Sequence, residues 1–364
     1  MAQTNIPVGS QLAVKIWSPR LATDVPTKSY WNRRFIGDSE NSVIHQDSSL
    51  ANAAGDKVQF DLSAKITGSP VTGDNVAEGQ GKQLRFFSDE VLIDQARMPV
   101  DTGGKMTKKR TIHNLRTTAR NRSSDYWATW IDQLIFMYLS GARGINADFH
   151  EPVGYAGHGG NAFTAPDSSH ILYGGAATSK ATITSSDKMT KALIERAETH
   201  AQMMTAIDPQ SSEIVPVMVE GGDHYVVVMS PWQEHDLRVA DTTGWLDIQK
   251  AAAGAEGRNN PIFRGNLGMI KSVVLHKHRH VVRFSDYGSG TNLHASRALF
   301  MGRQAGVMAY GSSKKLRYEW SEREWDHGNR VEILSGLVIG FKKATFNNRD
   351  FGICALDTYA ANPN

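Results

Sequence analysis

Residues 57–67 alternate without an error. Val58, Phe60, Leu62, Ala64 and Ile66 fall on one side, and Lys57, Gln59, Asp61, Ser63, Lys65 and Thr67 on the other. Side chains of an extended strand point to opposite faces with period two, so this is a strand with one apolar and one polar face. At about 3.3 Å per residue it reaches roughly 35 Å, longer than most strands in compact domains. A glycine-rich tip follows over 68–81, and a second extended run, 83–95, leads back. The pattern predicts a long two-stranded arm. Such a hairpin is marginal in water by itself, and apolar side chains worth about 1.5–3 kcal/mol each need a surface to cover. Either that surface belongs to another copy of the chain, or the hairpin folds over its own core.

The 364 residues are 40% hydrophobic, enough for a sizeable core. Lys and Arg number 40 against 37 Asp and Glu, a net charge of +3, so bulk charge does not imply nucleic acid. Cys354 is the only cysteine. An intramolecular disulfide is impossible, and a reducing compartment is the expected setting. In the apolar run 351–356, Cys354 reads as a small buried hydrophobe rather than a nucleophile. No apolar run has the length of a membrane span, and the N-terminus lacks the layout of a secretory signal. The expectation is cytosol-like surroundings and no membrane partner.

Residues 1–54 are irregular and read as an arm that needs a surface to lie on. The clearest helical region is 106–139. Ile112, Leu115 and Ala119 recur at helical spacing, then Tyr126, Trp130, Leu134 and Tyr138 at i+4. The second half can restart at a Ser123 or Ser124 cap, and Gly141 or Gly144 ends it. No acidic residue lies between Gly103 and Ser124, whereas Lys105, Lys108, Lys109, Arg110, Arg116, Arg120 and Arg122 do. This basic run reads either as a phosphate-contacting surface or as a helix face paired with acidic neighbours. Further helices are expected over 187–204 with a Ser186 cap, over 231–239 after Ser230, and over 245–253. Extended segments are expected at 225–229, 270–284, 317–321, 331–343 and 351–356. Helices and strands interleave without a βαβ rhythm, which favours α+β.

Chemistry-bearing motifs are sparse. His276, His278 and His280 would share one face of a strand, where they could present imidazoles to a cation. Lys277 and Arg279 make that face positive, so a solvated or inter-subunit face is the competing reading. His158-Gly159-Gly160-Asn161 has no nucleophile elbow to accompany it. Phosphate-binding loops, His-Glu-x-x-His and zinc-type cysteine pairs are absent. The residues point to no catalytic centre, no metal and no cofactor.

Several ordered strings carry a resemblance. They are Arg85-Phe86-Phe87-Ser88; Ser230-Pro231 with Asp236-Leu237-Arg238; and Asn260-Pro261-Ile262-Phe263-x-Gly265-x-Leu267-Gly268. Later come Ala298-Leu299-Phe300-x-Gly302-x-Gln304-Ala305, Trp325-Asp326-x-Gly328-Asn329, and Gly340-x-Lys342-Lys343-x-x-Phe346-Asn347-x-x-Asp350-Phe351-Gly352. In this order, over about 55–357, the chain resembles the major capsid proteins of tailed bacteriophages, within them most the N-four-like podophage family.

The resemblance implies an α+β chain of the Hong Kong 97-type capsid fold. It implies an N-terminal arm (1–54), an extended loop (55–105), a peripheral domain with a spine helix (106–212), an axial domain (213–310), return strands (311–349) and a C-terminal strand and tail (350–364). It implies self-assembly as pentamers and hexamers into an icosahedral shell around double-stranded DNA, in the virion, after assembly in the bacterial host cytoplasm. Portal, scaffolding and cement proteins would be further partners. The expected inter-subunit contacts on the extended loop are Val58, Phe60, Leu62, Ala64, Ile66, Phe86 and Phe87. An encapsulin-like nanocompartment of the same fold is the alternative. Bendable joints are expected at Gly55, Gly68, Gly73, Gly103 and Gly104.

Overall fold

A computed structural model of the chain describes residues 17–51, 55–63, 66, 68–84, 86–207, 213–219, 221–240, 261–263, 267–313 and 317–363. Its helices are α1 (Trp17–Lys28), α2 (Lys105–Arg110), α3 (Leu115–Ser140), α4 (Lys191–Ile207) and α5 (Pro231–Ala240). Its strands begin with β1 (Ile36–Gly37), β2 (Ile44–Asp47), β3 (Lys57–Ser63), β4 (Phe86–Leu92), β5 (Asp94–Gly104) and β6 (Ile171–Tyr173). The middle strands are β7 (Val217–Val219), β8 (Gly222–Met229), β9 (Gly268–Ile270), β10 (Val273–Lys277), β11 (Arg283–Tyr287) and β12 (Leu293–Met301). The last are β13 (Gly306–Tyr310), β14 (Tyr318–Trp325), β15 (Arg330–Lys343), β16 (Thr345–Phe346), β17 (Arg349–Asp350) and β18 (Ile353–Tyr359).

Two sheets organise the body. The first has the order β1-β2-β13-β15-β14, with β5 also paired to β15. The second has the order β6-β18-β12-β8-β10-β9, with β11 on β12 and β7 on β8. β3 and β4 form a separate ribbon. β13 belongs to the first sheet although it ends at Tyr310, and β18 pairs with β12 of the second. The divisions expected at 310 and 350 therefore do not follow the sheets. Chain segments far apart in sequence complete each one.

α3 is the helix that both sheets share. Ile131, Leu134 and Ile135 pack in one core with Val226 and Val274 of the second sheet and Met308, Leu337 and Phe341 of the first. The sequence places a helix restart at Ser123 or Ser124, but both serines are buried inside α3. The start is Asn114, whose side chain accepts from Thr117 N at 3.2 Å and satisfies one of the first-turn amides. Gly141 ends the helix at φ 69°, and a Cβ there would meet Thr164 O at 2.2 Å, so glycine is required on two counts.

Other expectations shift for local reasons. α4 starts at Lys191, not near Ser186, because Asp187 is engaged in its own turn with Thr184 while the Thr190 hydroxyl accepts from Leu193 N. α5 begins as expected: Ser230 Oγ accepts from Gln233 N, and Gln233 Oε1 accepts from Ser230 N, a reciprocal cap. The extended run 270–284 breaks at Lys271, whose φ of 49° turns the chain between β9 and β10. The expected helix 245–253 lies outside the described residues.

Candidate interaction arm

The arm is β3 paired antiparallel with β4, from Lys57↔Leu92 to Ser63↔Phe86. Directly opposite residues share a face. Val58 with Val91, Phe60 with Asp89, and Leu62 with Phe87 lie on one side. Lys57, Gln59, Asp61 and Phe86 lie on the other. Phe86 and Phe87 thus point opposite ways.

The root of this ribbon rests on its own chain. Val58 and Val91 are buried against Val307 and Ala309, with Leu50, Phe60 and Ile93 packed around them. The Phe60 ring meets Phe346 edge-on at 5.7 Å. Asp89 accepts from Lys342 Nζ and from Thr345 Oγ1. Asn161 clamps the bend between β4 and β5: its Oδ1 accepts from Leu92 N at 2.9 Å, and its Nδ2 donates to Leu92 O at 2.7 Å. Gly340 lets the strands close on this bend, since a Cβ there would lie 2.1 Å from Leu92 O. Run 83–95 is therefore two strands, and the second, β5, pairs with β15 rather than with the arm.

Asn161→Ala removes both bonds from a half-buried backbone. It is expected to cost about 1–3 kcal/mol locally. Hydrogen exchange at Leu92 should rise while exchange in α3 stays unchanged. Unchanged protection at Leu92 would mean that packing alone holds the root.

Beyond the root, several described apolar side chains are exposed. Ile66 is 65% exposed and Phe86 66%, and Val71, Val76 and Leu84 are exposed with them. The side chain of Leu62 and all of Ala64 lie outside the described residues, and Phe87 is half-buried. Of the residues expected as inter-subunit contacts, Val58 is covered by its own chain, Phe60 partly so, and Ile66 and Phe86 are uncovered. Gly55, Gly68, Gly73 and Gly103 have positive φ, while Gly104 has an ordinary φ of −83° as the residue before α2.

The basic run divides in the same way. Arg116 pairs with Glu322 at 2.8 Å and Arg120 with Asp24 at 3.7 Å, both within the chain. Arg122 meets Asp125 at 3.4 Å on the surface. Lys105, Lys108, Lys109 and Arg110 all sit on exposed α2, with no ion pair among the described residues. Ile112, expected on the helix, lies in the break between α2 and α3 and is 96% exposed.

The three histidines do not form a strand face. Only His276 is in β10, and the chain turns after Lys277. His276 and His280 are buried and His278 is half-buried. His276 and His278 pack inward on Tyr30, Phe35 and Phe136, and His280 packs on Phe149 and His278, so both surface readings are overturned. Their flanks, Val273 to Leu275 and Val281 with Val282, are wholly buried and carried that signal. Among the described residues, no group of three His, Cys, Asp or Glu could hold a metal ion. Cys354 is buried, and burial raises its thiol well above the ordinary range, so it is inert.

Comparison with known proteins agrees with this arrangement. A family model described as phage capsid protein matches residues 5–362. The major capsid protein of Pseudomonas phage KPP25 is 27% identical over 95% of this chain and 94% of that one. The capsid structure of Ralstonia phage GP4 superposes with a TM-score of 0.89 at 55% identity, covering 100% of both chains. The capsid of cyanophage Pam1 shares the fold, with a TM-score of 0.70 at 21% identity over 90% of this chain and 91% of that one.

Proposed function

Because this chain belongs to the phage capsid protein family and is a tailed-phage major capsid protein of Hong Kong 97-type α+β fold, we propose that pentamers and hexamers of it close into the icosahedral shell around double-stranded DNA. The exposed tip of the arm carries this reading. A monomer leaves Ile66, Leu84 and Phe86 in water, each forgoing about 1.5–3 kcal/mol of burial. A neighbouring copy is the partner whose geometry repeats around a ring. The family places the chain in the virion capsid as a structural protein, and its work is done by interfaces.

In this reading 1–54 is the N-terminal arm, 55–105 the extended loop, 106–212 with 311–349 the peripheral domain, and 213–310 the axial domain. Residues 350–364 supply a last strand and tail. Assembly takes place in the host cytoplasm with portal and scaffolding proteins, and cement proteins are further partners of the finished shell. The encapsulin alternative is not favoured, since the matched family and relatives are phage capsids.

The four cations of α2, which have no ion pair among the described residues, are the surface best suited to phosphates, which need only a positive charge. Electron microscopy of the purified chain, at high concentration with and without scaffold, should show closed shells. A persistent monomer would sink the proposal. A chain with Lys108, Lys109 and Arg110 changed to Gln should still close, and its DNA retention should depend less steeply on salt, by a slope of up to about 3. An unchanged slope would make α2 a protein contact instead.

A further inference from the structure

The turn 30–35 is held to the body by histidines that must be neutral. The His278 ring stacks on Phe136 at 5.0 Å with 15° between planes, and the Tyr30 ring lies 4.5 Å from it, tilted by 35°. His276 packs against Phe35 at 5.2 Å and Tyr30 at 6.3 Å. Hydrogen bonding fixes the protons. His276 Nε2 donates to Ile262 O at 2.8 Å. His278 Nδ1 accepts from His280 N at 3.2 Å, and His280 Nε2 accepts from Arg279 Nε at 3.1 Å. An imidazolium cannot accept, so charging either of the last two breaks a bond as well as burying a cation.

The surroundings do little to welcome charge. The turn contributes Arg34, the loop itself Arg279, and the segment beside α3 His150, all cationic or able to become so, and Lys277 is a near neighbour in sequence. Lys277 is drawn to Glu234 of α5 at 3.5 Å. Asp148, 3.4 Å from His280, is the carboxylate that would support an imidazolium there. Asp132 of α3 faces the turn from the other side, accepting from Ser29 Oγ, Tyr30 N and Trp31 N.

We propose that His276 and His278 are an acid-released latch: neutral imidazoles hold the turn 30–35 against the body, and protonating them lets it go. Burial pushes His276 and His280 down to about 4 and His278 to about 3. A histidine depressed in the closed state contributes holding energy in full above its free value near 6.5 and loses it as pH falls toward the depressed value. Burial raises Asp132 to about 6, which acts in the opposite sense, favouring the closed state as acid is added.

The expected size follows. Between about pH 7.5 and 5, each freed histidine raises opening by about 30-fold, and a freed Asp132 opposes this by about tenfold. Tyr30 touches both His276 and His278, so their joint release nets about 100-fold. The test is hydrogen exchange by mass spectrometry on the full chain, corrected for the intrinsic effect of pH. Amides of 30–35 should open by about 100-fold over this range while β12 and β18 stay protected. His278→Phe keeps the stacking and should cut the response to about threefold. His278→Gln, which also cannot charge, serves if the phenylalanine disturbs the fold. The proposal fails if 30–35 stays closed at about pH 5. It fails equally if 30–35 opens only together with β12 and β18, or if both variants open in acid as fully as the parent.

Discussion

Arg297→Ala is expected to destabilise the subunit by about 3–5 kcal/mol, the cost of leaving a buried carboxylate without its partner. Arg297 and Asp357 are opposite each other in the β12–β18 ladder. Two parallel bonds of 2.7 Å join guanidinium to carboxylate, and Tyr287 donates to the same carboxylate at 2.5 Å. The remaining nitrogen donates to Ser140 O at 2.8 Å, at the last turn of α3. That carbonyl is one of those a helix end cannot satisfy internally, and it carries the negative end of the helix dipole. One planar fork therefore ties α3 to two neighbouring strands. Arg297→Lys keeps the charge and should still lose much of the stability, because an ammonium cannot make both parallel bonds and reach Ser140. The double change Arg297→Met with Asp357→Leu should recover most of the loss, since the carboxylate is then gone. The midpoint of urea unfolding reads all three. An Arg297→Ala midpoint equal to the parent's would mean that water reaches Asp357.

No local signal announces this pair. Arg297 sits in an apolar run and Asp357 in another, 60 residues away, and only the register of β12 with β18 brings them together. The same holds for Asn161 and Leu92, 69 residues apart. What period-two patterning does reveal is the strand itself. β3 begins where alternation places it, at Lys57, and runs to Ser63, short of the expected 67, and β15 and β18 fall within a few residues of the expected runs. Patterning fails where a strand changes partner without a turn residue. Leu92-Ile93-Asp94 contains neither Gly nor Pro, yet β4 belongs to the arm and β5 to the first sheet. It fails for the histidines because alternation cannot say that the chain turns after Lys277. The resemblance to phage capsid proteins supplied what patterning could not, the architecture as a whole.

The arm is then a lever with a fixed root and a free end. Its root is held by a valine pair in its own core and by an asparagine clamp. A fixed root lowers the ordering cost of docking the tip on another molecule. Substitutions at the two ends should accordingly separate folding from assembly.

Phe86→Asp is expected to abolish shell formation and leave the subunit as stable as the parent, within about 0.5 kcal/mol. The residue is 66% exposed and faces away from the Val58–Val91 pair. In a docked arm the ring would be desolvated, and a carboxylate in its place would be buried unpaired. Val91→Asp is the counter-experiment. Val91 is fully buried, so this change puts a carboxylate into the root and should destabilise the monomer itself by several kcal/mol, roughly 3 or more. Sedimentation velocity would follow assembly, and urea unfolding stability. Closed shells from Phe86→Asp would show that this face of the arm makes no contact. The capsid reading would survive that result, but the free end of the arm would have to dock through Ile66, Phe87 and the opposite face instead.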